Sequence, residues 1–327
     1  MNKALKIFAA LSISLLLIGC KESTKVGAVA PHKVMGGFMY TTLLVDTKDT
    51  EVFQKLDGLY EYGNIEFLSA VVQVVRPKFN LSTPYKKMAN GKYDLTQWDP
   101  EFFAHLEKVV SWCESHDVLL QITLFNEPTA RNDKMLPAYS GDNIQGFKGD
   151  FPSCVRKTPT GAWADICESL IAKMVPYINR SGAVLFLLEG SGSAEFEIWC
   201  YNIAKNYGLS PNVYVITNDG LPGAIKSPHV HSVAAAKSAT KPGSYLSTDG
   251  LYSETATQLN EMLSYSVQKR GAAFESFANG FLSGYFNLDN NGNPVGGQVS
   301  KEKRVRPTMA KLSRGKMAQL VVTMGKY

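Results

Sequence analysis

The residues best placed to do chemistry are acids that end or interrupt apolar runs. Glu189 closes Leu185-Phe186-Leu187-Leu188 and is followed by glycine. Asp249 closes Tyr245-Leu246-Ser247-Thr248 and is also followed by glycine. Glu275 stands inside Ala272-Ala273-Phe274-Glu275-Ser276-Phe277, where a charge is costly unless it is paired or lines a pocket. Arg76 follows the apolar run 67–75, and Glu127 sits between Asn126 and Pro128. Each has a plainer reading. Glu189 could cap or ion-pair with the helix that starts near Glu195. Asp249-Gly250 could be a turn, Glu127 a rim residue, and Arg76 a surface ion pair or the partner of Glu275. Tyr40, Trp98, Trp163 and Trp199 could stack on a flat ligand, although aromatic residues more often fill cores. His229 and His231 read as structural.

These side chains need a scaffold, and the sequence supplies one by alternation. Strand-like apolar runs fall at 34–42, 67–75, 118–125, 183–188, 212–217, 231–236, 244–248 and 272–277. Amphipathic segments lie between them, which argues for a parallel α/β sheet. Eight such strands in roughly 300 residues fit a closed (β/α)8 TIM barrel. Asp99-Pro100-Glu101 reads as a helix start: an N-cap acid, proline at the first helical position, then an acid in the first turn. Phe102, Phe103, Leu106, Val109, Val110 and Cys113 follow at helical spacing. Further helices are expected at 162–178, at 195–207 before Gly208, and at 255–269 before Gly271. Segments 76–98 and 126–159 read as long polar loops on the C-terminal face, where barrel enzymes build their sites.

The chain has 327 residues and a formal charge of +5. Residues 1–19 have a basic start at Lys3 and Lys6 and a short apolar core at 7–18, which reads as a signal peptide. Leu17-Ile18-Gly19-Cys20 resembles the lipobox of bacterial lipoproteins. That resemblance implies cleavage before Cys20, acylation of its thiol (as with palmitate), and a lipid anchor in the bacterial cell envelope. Residues 20–31 would be the lipidated tether and 32–327 the barrel domain. No later stretch is long and apolar enough to cross a bilayer. No dense basic run interleaved with aromatics points to nucleic acid. Cys113, Cys154, Cys167 and Cys200 lack the paired Cys/His spacing of a zinc site. In an oxidising compartment they allow up to two disulfides, in three connectivities. No metal and no cofactor is expected.

Tyr93-Asp94-Leu95-Thr96-Gln97-Trp98-Asp99-Pro100-Glu101-Phe102-Phe103, leading into Val118-Leu119-Leu120-Gln121-Ile122-Thr123-Leu124-Phe125, resembles the clan A glycoside hydrolases. The loop Tyr139-Ser140-Gly141-Asp142-Asn143-Ile144-Gln145-Gly146 is similar to their Asn-Asn-x-x-Gly element. Arg76 matches the arginine that the clan places beside its nucleophile. The resemblance implies a carbohydrate partner and two carboxylates flanking a glycosidic bond, one protonating the leaving oxygen and one attacking or orienting water. It puts the acid/base at the end of strand four, hence Glu189, and the nucleophile at the end of strand seven, hence Asp249. Asn126-Glu127-Pro128 looks like the clan's strand-four Asn-Glu-Pro but follows strand three by this count. Arg76, Asn126, Glu127, Asn143, Glu275, Trp98 and Tyr40 would line the substrate site. Three departures stand beside this. Leu188 occupies the asparagine position, Asp249 is one residue beyond the expected glutamate, and strand six ends in Ala234-Ala235-Ala236 where the clan has a histidine or aromatic. They fit equally a barrel that binds carbohydrate or an envelope partner without cutting it.

Overall fold

A computed structural model describes residues 35–39, 43–48, 50, 52–63, 67–72, 82–126, 137, 141–148, 153–188, 194–217, 220–226, 234, 238, 274–276, 287–288 and 294–295. Its centre is a parallel sheet built from β1 (Met35–Met39), β2 (Phe67–Val71), β5 (Leu119–Asn126), β6 (Gly182–Leu188), β7 (Tyr214–Thr217), β8 (Ile225–Lys226) and β9 (Phe274–Ser276). The spatial order is β8-β7-β6-β5-β2-β1-β9, so each strand from β1 to β8 lies beside its predecessor in the series and β9 returns to flank β1. That order, with helices in the crossovers, is the (β/α)8 barrel fold. The strand expected at 244–248, and the helix expected at 255–269, lie outside the described residues.

Four helices are described: α1 (Val52–Gly63), α2 (Pro100–Ser115), α3 (Gly161–Ser181) and α4 (Ala194–Asn206). The start of α2 is written in its sequence. The Asp99 carboxylate accepts from the Glu101 and Phe102 backbone N–H groups at 2.9 and 3.4 Å, satisfying donors that have no helical partner. Its apolar positions Phe102, Phe103, Leu106, Val109, Val110 and Cys113 are all buried. At the other end of α3, Gly182 takes a left-handed φ of 81° and its N–H caps the Ile178 carbonyl. The chain then turns directly into β6.

Period-two alternation divides the core into two layers. Leu68, Ala70, Leu120, Ile122, Val184, Phe186 and Val215 pack with the helices. Phe67, Val71, Leu185, Leu188, Ile216 and Ile225 form a second cluster on the other side of the strands. Between register partners Ser69 and Gln121, the Gln121 amide donates to Ser69 Oγ at 2.8 Å, and it also donates to Thr123 Oγ1 at 3.3 Å. These buried polar groups satisfy one another.

Three sequence expectations are revised. The sixth strand of the described series is Ile225–Lys226; within the expected strand 231–236 Ala234 alone is described, and it is helical and exposed. Alanine is the best helix former and a poor strand former, and apolarity alone had suggested the strand. Segment 76–98 is not all loop: it contains an antiparallel hairpin of β3 (Tyr85–Lys87) and β4 (Tyr93–Trp98). The four cysteines are buried thiols, with no disulfide joining them.

Candidate functional site

The C-terminal ends of the parallel strands define the mouth where a barrel places its chemistry. β5 is the third strand of the series and ends at Asn126, and β6 is the fourth and ends at Leu188. Asn126 and Leu188 are register partners, so the two strands stop at the same level. In sequence, Asn126 leads to Glu127 and Leu188 to Glu189. At this level Leu188 packs in the inner cluster with Phe67, Val71, Leu185, Ile216 and Ile225. The apolar side chain at the asparagine position therefore adds to the inner packing and offers no hydrogen bond.

Two elements build one rim of this mouth. The β3–β4 hairpin comes from the connection after β2, and segment 141–148 from the connection after β5. Tyr93 and Asn143 form a parallel backbone bridge between them. Buried Asp94 ties the join. Its carboxylate accepts from Thr96 Oγ1 at 2.7 Å, Thr96 N at 2.9 Å, Gln97 Nε2 at 2.8 Å and Gln145 Nε2 at 2.6 Å. Gln145 Oε1 accepts from Leu95 N at 3.1 Å. The Thr96 hydrogen bonds, then those from Gln145 and Gln97, hold the Asp94 carboxyl below the usual carboxylate range.

Two of the expected ligand-contacting residues belong to this rim. Asn143 is fully buried and donates to the Pro137 and Phe147 carbonyls at 2.8 and 2.6 Å; its Oδ1 accepts from Phe147 N at 2.9 Å. Its amide shapes the loop. Trp98 is half-buried, stacks on Tyr85 at 5.8 Å and meets the Phe103 edge at 5.7 Å, which seats the hairpin on α2. Asn126 and Glu275 are described through their backbone alone: Asn126 ends β5, and Glu275 pairs with Gly36 in the β9–β1 ladder. Tyr40, Arg76, Glu127, Glu189, Asp249 and Cys20 lie outside the described residues. Trp163 is buried; its indole N–H donates to the Cys154 carbonyl and its ring stacks on Phe147.

Sequence reasoning missed Glu197. This acid, in the first turn of α4, is buried, and the Thr217 hydroxyl at the end of β7 donates to its Oε2. The same hydroxyl oxygen accepts from Gly220 N at 3.2 Å and Leu221 N at 3.4 Å, gathering the β7–β8 turn. A first-turn acid reads as a response to the helix dipole. The available signal was its place on the stripe Glu197, Cys200, Tyr201, Ala204, whose spacing marks an inward helix face. Among the described residues, no group of His, Cys, Asp and Glu is arranged to hold a metal, and no helix is long and apolar enough to cross a membrane.

No protein-family model and no curated protein matches the chain in sequence. Solved structures similar to it include glycoside hydrolases. It is similar to the exo-β-1,4-mannosidase Op5Man5 from Opitutaceae bacterium strain TAV5, with a TM-score of 0.53 and 9% identity over 90% of this chain and 60% of that one. A GH138 enzyme targeting pectin rhamnogalacturonan II gives 0.48 and 12% identity over 91% of this chain and 38% of that one. A GH5-4 broad specificity endoglucanase from Clostridium longisporum gives 0.48 and 10% over 90% and 97%. The chain thus spans less than two thirds of the length of the first two. The mannosidase likeness establishes the fold.

Proposed function

We propose that this chain is a glycoside hydrolase-like protein of the bacterial cell envelope, anchored through a lipid on Cys20, that cuts a polysaccharide with a carboxylate pair. Glu189 is the general acid/base and Asp249 the nucleophile. Arg76, Asn126, Glu127, Glu275 and Tyr40 contribute to the substrate site, with Asn143 and Trp98 shaping its rim. The observation that carries the reading is the strand count. β6 is fourth in the parallel series and ends at Leu188, so the next residue in the chain is an acid at the position where the resemblance puts the proton donor. Asn126 ends the third strand of the series, and that order supports reading Glu127 as a substrate contact and not as the acid/base.

One observation favours a second reading, a barrel that binds carbohydrate without cutting it. Leu188 lies in an apolar cluster where the resemblance has an asparagine that could bond a sugar hydroxyl. A polysaccharide screen that reads both retention and reducing-end release separates the two. Hydrolysis that falls at least about 100-fold in Glu189→Gln supports the enzyme, since a positioned acid/base contributes on that scale. Retention without release supports the binder, and equal hydrolysis by variant and parent removes Glu189 from its role. Cys20→Ser releases the protein from membranes if the anchor is real; continued membrane retention refutes it.

A further inference from the structure

Three buried polar side chains stand together on the inner face of the strands. Phe67 and Val71 of β2 belong to the inner cluster, so Ser69 between them shares their face. Gln121 and Thr123 of β5 share it too. Gln121 is the register partner of Ser69, and Thr123 is the partner of Val71 on one side and of Leu185 on the other. The alternate residues Leu120, Ile122 and Leu124 pack with the helices. Ser69, Gln121 and Thr123 keep only 1%, 2% and 0% of their surface. On the β6 side the register partner of Gln121 is buried Ala183, whose single methyl group fills little of the space beside the amide.

Each of the three finds a partner within the group, yet the group has capacity left over. Gln121 Nε2 donates to Ser69 Oγ at 2.8 Å and to Thr123 Oγ1 at 3.3 Å, which uses both amide hydrogens. The Gln121 Oε1 acceptor and the Ser69 and Thr123 hydroxyl hydrogens remain, and among the described residues nothing meets them. Turning the amide over only moves the deficit to its N–H groups. Buried polar groups are costly to leave unmet. A ligand that meets an acceptor and two donors at once must both give and take hydrogen bonds.

The ligand must also be small. Thr123 lies three residues before Asn126, the end of β5, so at about 3.3 Å per residue the group sits about 10 Å beneath the mouth. Leu188, level with Asn126, packs in the inner cluster above it. Near-zero exposure at that depth suits a single water molecule and not a sugar ring.

We propose that Ser69, Gln121 and Thr123 form a binding site for one internal water molecule. The water donates a hydrogen to Gln121 Oε1 and accepts from the two hydroxyls, which gives the about three hydrogen bonds that buried waters make. It reinforces the join between β2 and β5, the strands that lead in sequence to Arg76 and to Glu127. The site is independent of whether the barrel cuts a polysaccharide.

The test is a crystal structure of the native full-length protein, together with magnetic relaxation dispersion of the solvent, which counts waters held for longer than the protein tumbles. The expected result is a water about 2.5–3.0 Å from Gln121 Oε1 and within the same reach of at least one of the two hydroxyls. Gln121→Met, similar in length and without the amide, should hold one long-lived water fewer than the parent. Density for a side chain in that place, an Oε1 that meets no water, or equal counts in parent and variant overturns the proposal. The structure of the unsubstituted protein decides the matter even if the variant fails to fold.

Discussion

Gly182→Ala is a sensitive probe of how the fourth strand is launched. Gly182 has φ 81°, where an L side chain costs about 1–2 kcal/mol. A Cβ there would also lie 2.7 Å from Leu119 Cδ1 on the neighbouring strand. Leu119 can turn aside, but it is packed against the inner cluster, so overpacking adds about 1 kcal/mol at the low end of its range. The expected total is about 2–3 kcal/mol. Gly208 is the internal control: its φ is 86°, and a Cβ there meets nothing within 4 Å. Gly208→Ala should therefore cost only the backbone part, about 1–2 kcal/mol. Urea unfolding at equal slope reads both. Gly182→Ala more costly than Gly208→Ala by about 1 kcal/mol is the predicted result. Equal losses, or a neutral Gly182→Ala, would refute the close approach of α3, β5 and β6 from which the position of Leu188 is argued.

Two further predictions follow from polar contacts. Arg180, in the last turn of α3, binds both Glu107 oxygens at 2.8 Å and Glu114 at 2.8 and 3.0 Å, on the side of the barrel opposite the strand C-termini. All three side chains are more than a third exposed, so Arg180→Met should cost only about 0.5–1 kcal/mol. The Arg180 hydrogen bond lowers the Glu114 carboxyl pKa in the folded protein, so its contribution is present above the unfolded value of about 4.3 and is lost as pH falls through the lower folded value. In urea titrations from pH 7 to 3, the gap between parent and variant should close on the acid side; a gap constant with pH contradicts this. Asp94→Ala removes the acceptor for four donors at the rim join and should cost about 1–3 kcal/mol. Hydrogen exchange at Thr96 should quicken at least about fivefold, the change that about 1 kcal/mol makes where about 1.4 kcal/mol is a factor of ten. The folded Asp94 pKa is likewise lowered, so the parent loses this protection as pH falls below the ordinary aspartate value. Unchanged exchange in the variant would remove Asp94 as the tie.

Much of the barrel can be read directly from the chain, because long apolar runs and capped helices are local signals. Asp99-Pro100-Glu101 announces α2, and the uninterrupted run up to Leu188 announces a strand covered on both faces. The β3–β4 hairpin is less legible, since its strands are short and carry Lys86, Lys87, Thr96 and Gln97 on exposed positions. The sixth strand is misplaced by apolarity alone: Ala234 is helical, and the described strand begins two residues after the turn at Gly223. At the site, a carboxylate at a strand end stands out against apolar neighbours. Asn143 and Glu197 do not, because an asparagine that pins a loop and an acid buried beneath a threonine are defined by partners met only in the folded chain: the backbone of nearby Phe147 and Pro137 in one case, Thr217 in the other. Asn143 carries the resemblance in sequence yet spends its amide on its own loop.

The most direct test is a crystal structure of the full chain with a bound oligosaccharide, reading the distance between the Glu189 and Asp249 carboxyl groups. Hydrolytic action by this pair requires both in one cleft, about 5–5.5 Å apart for retention or about 6.5–9.5 Å for inversion. A separation beyond about 10 Å, or side chains facing different clefts, would contradict it.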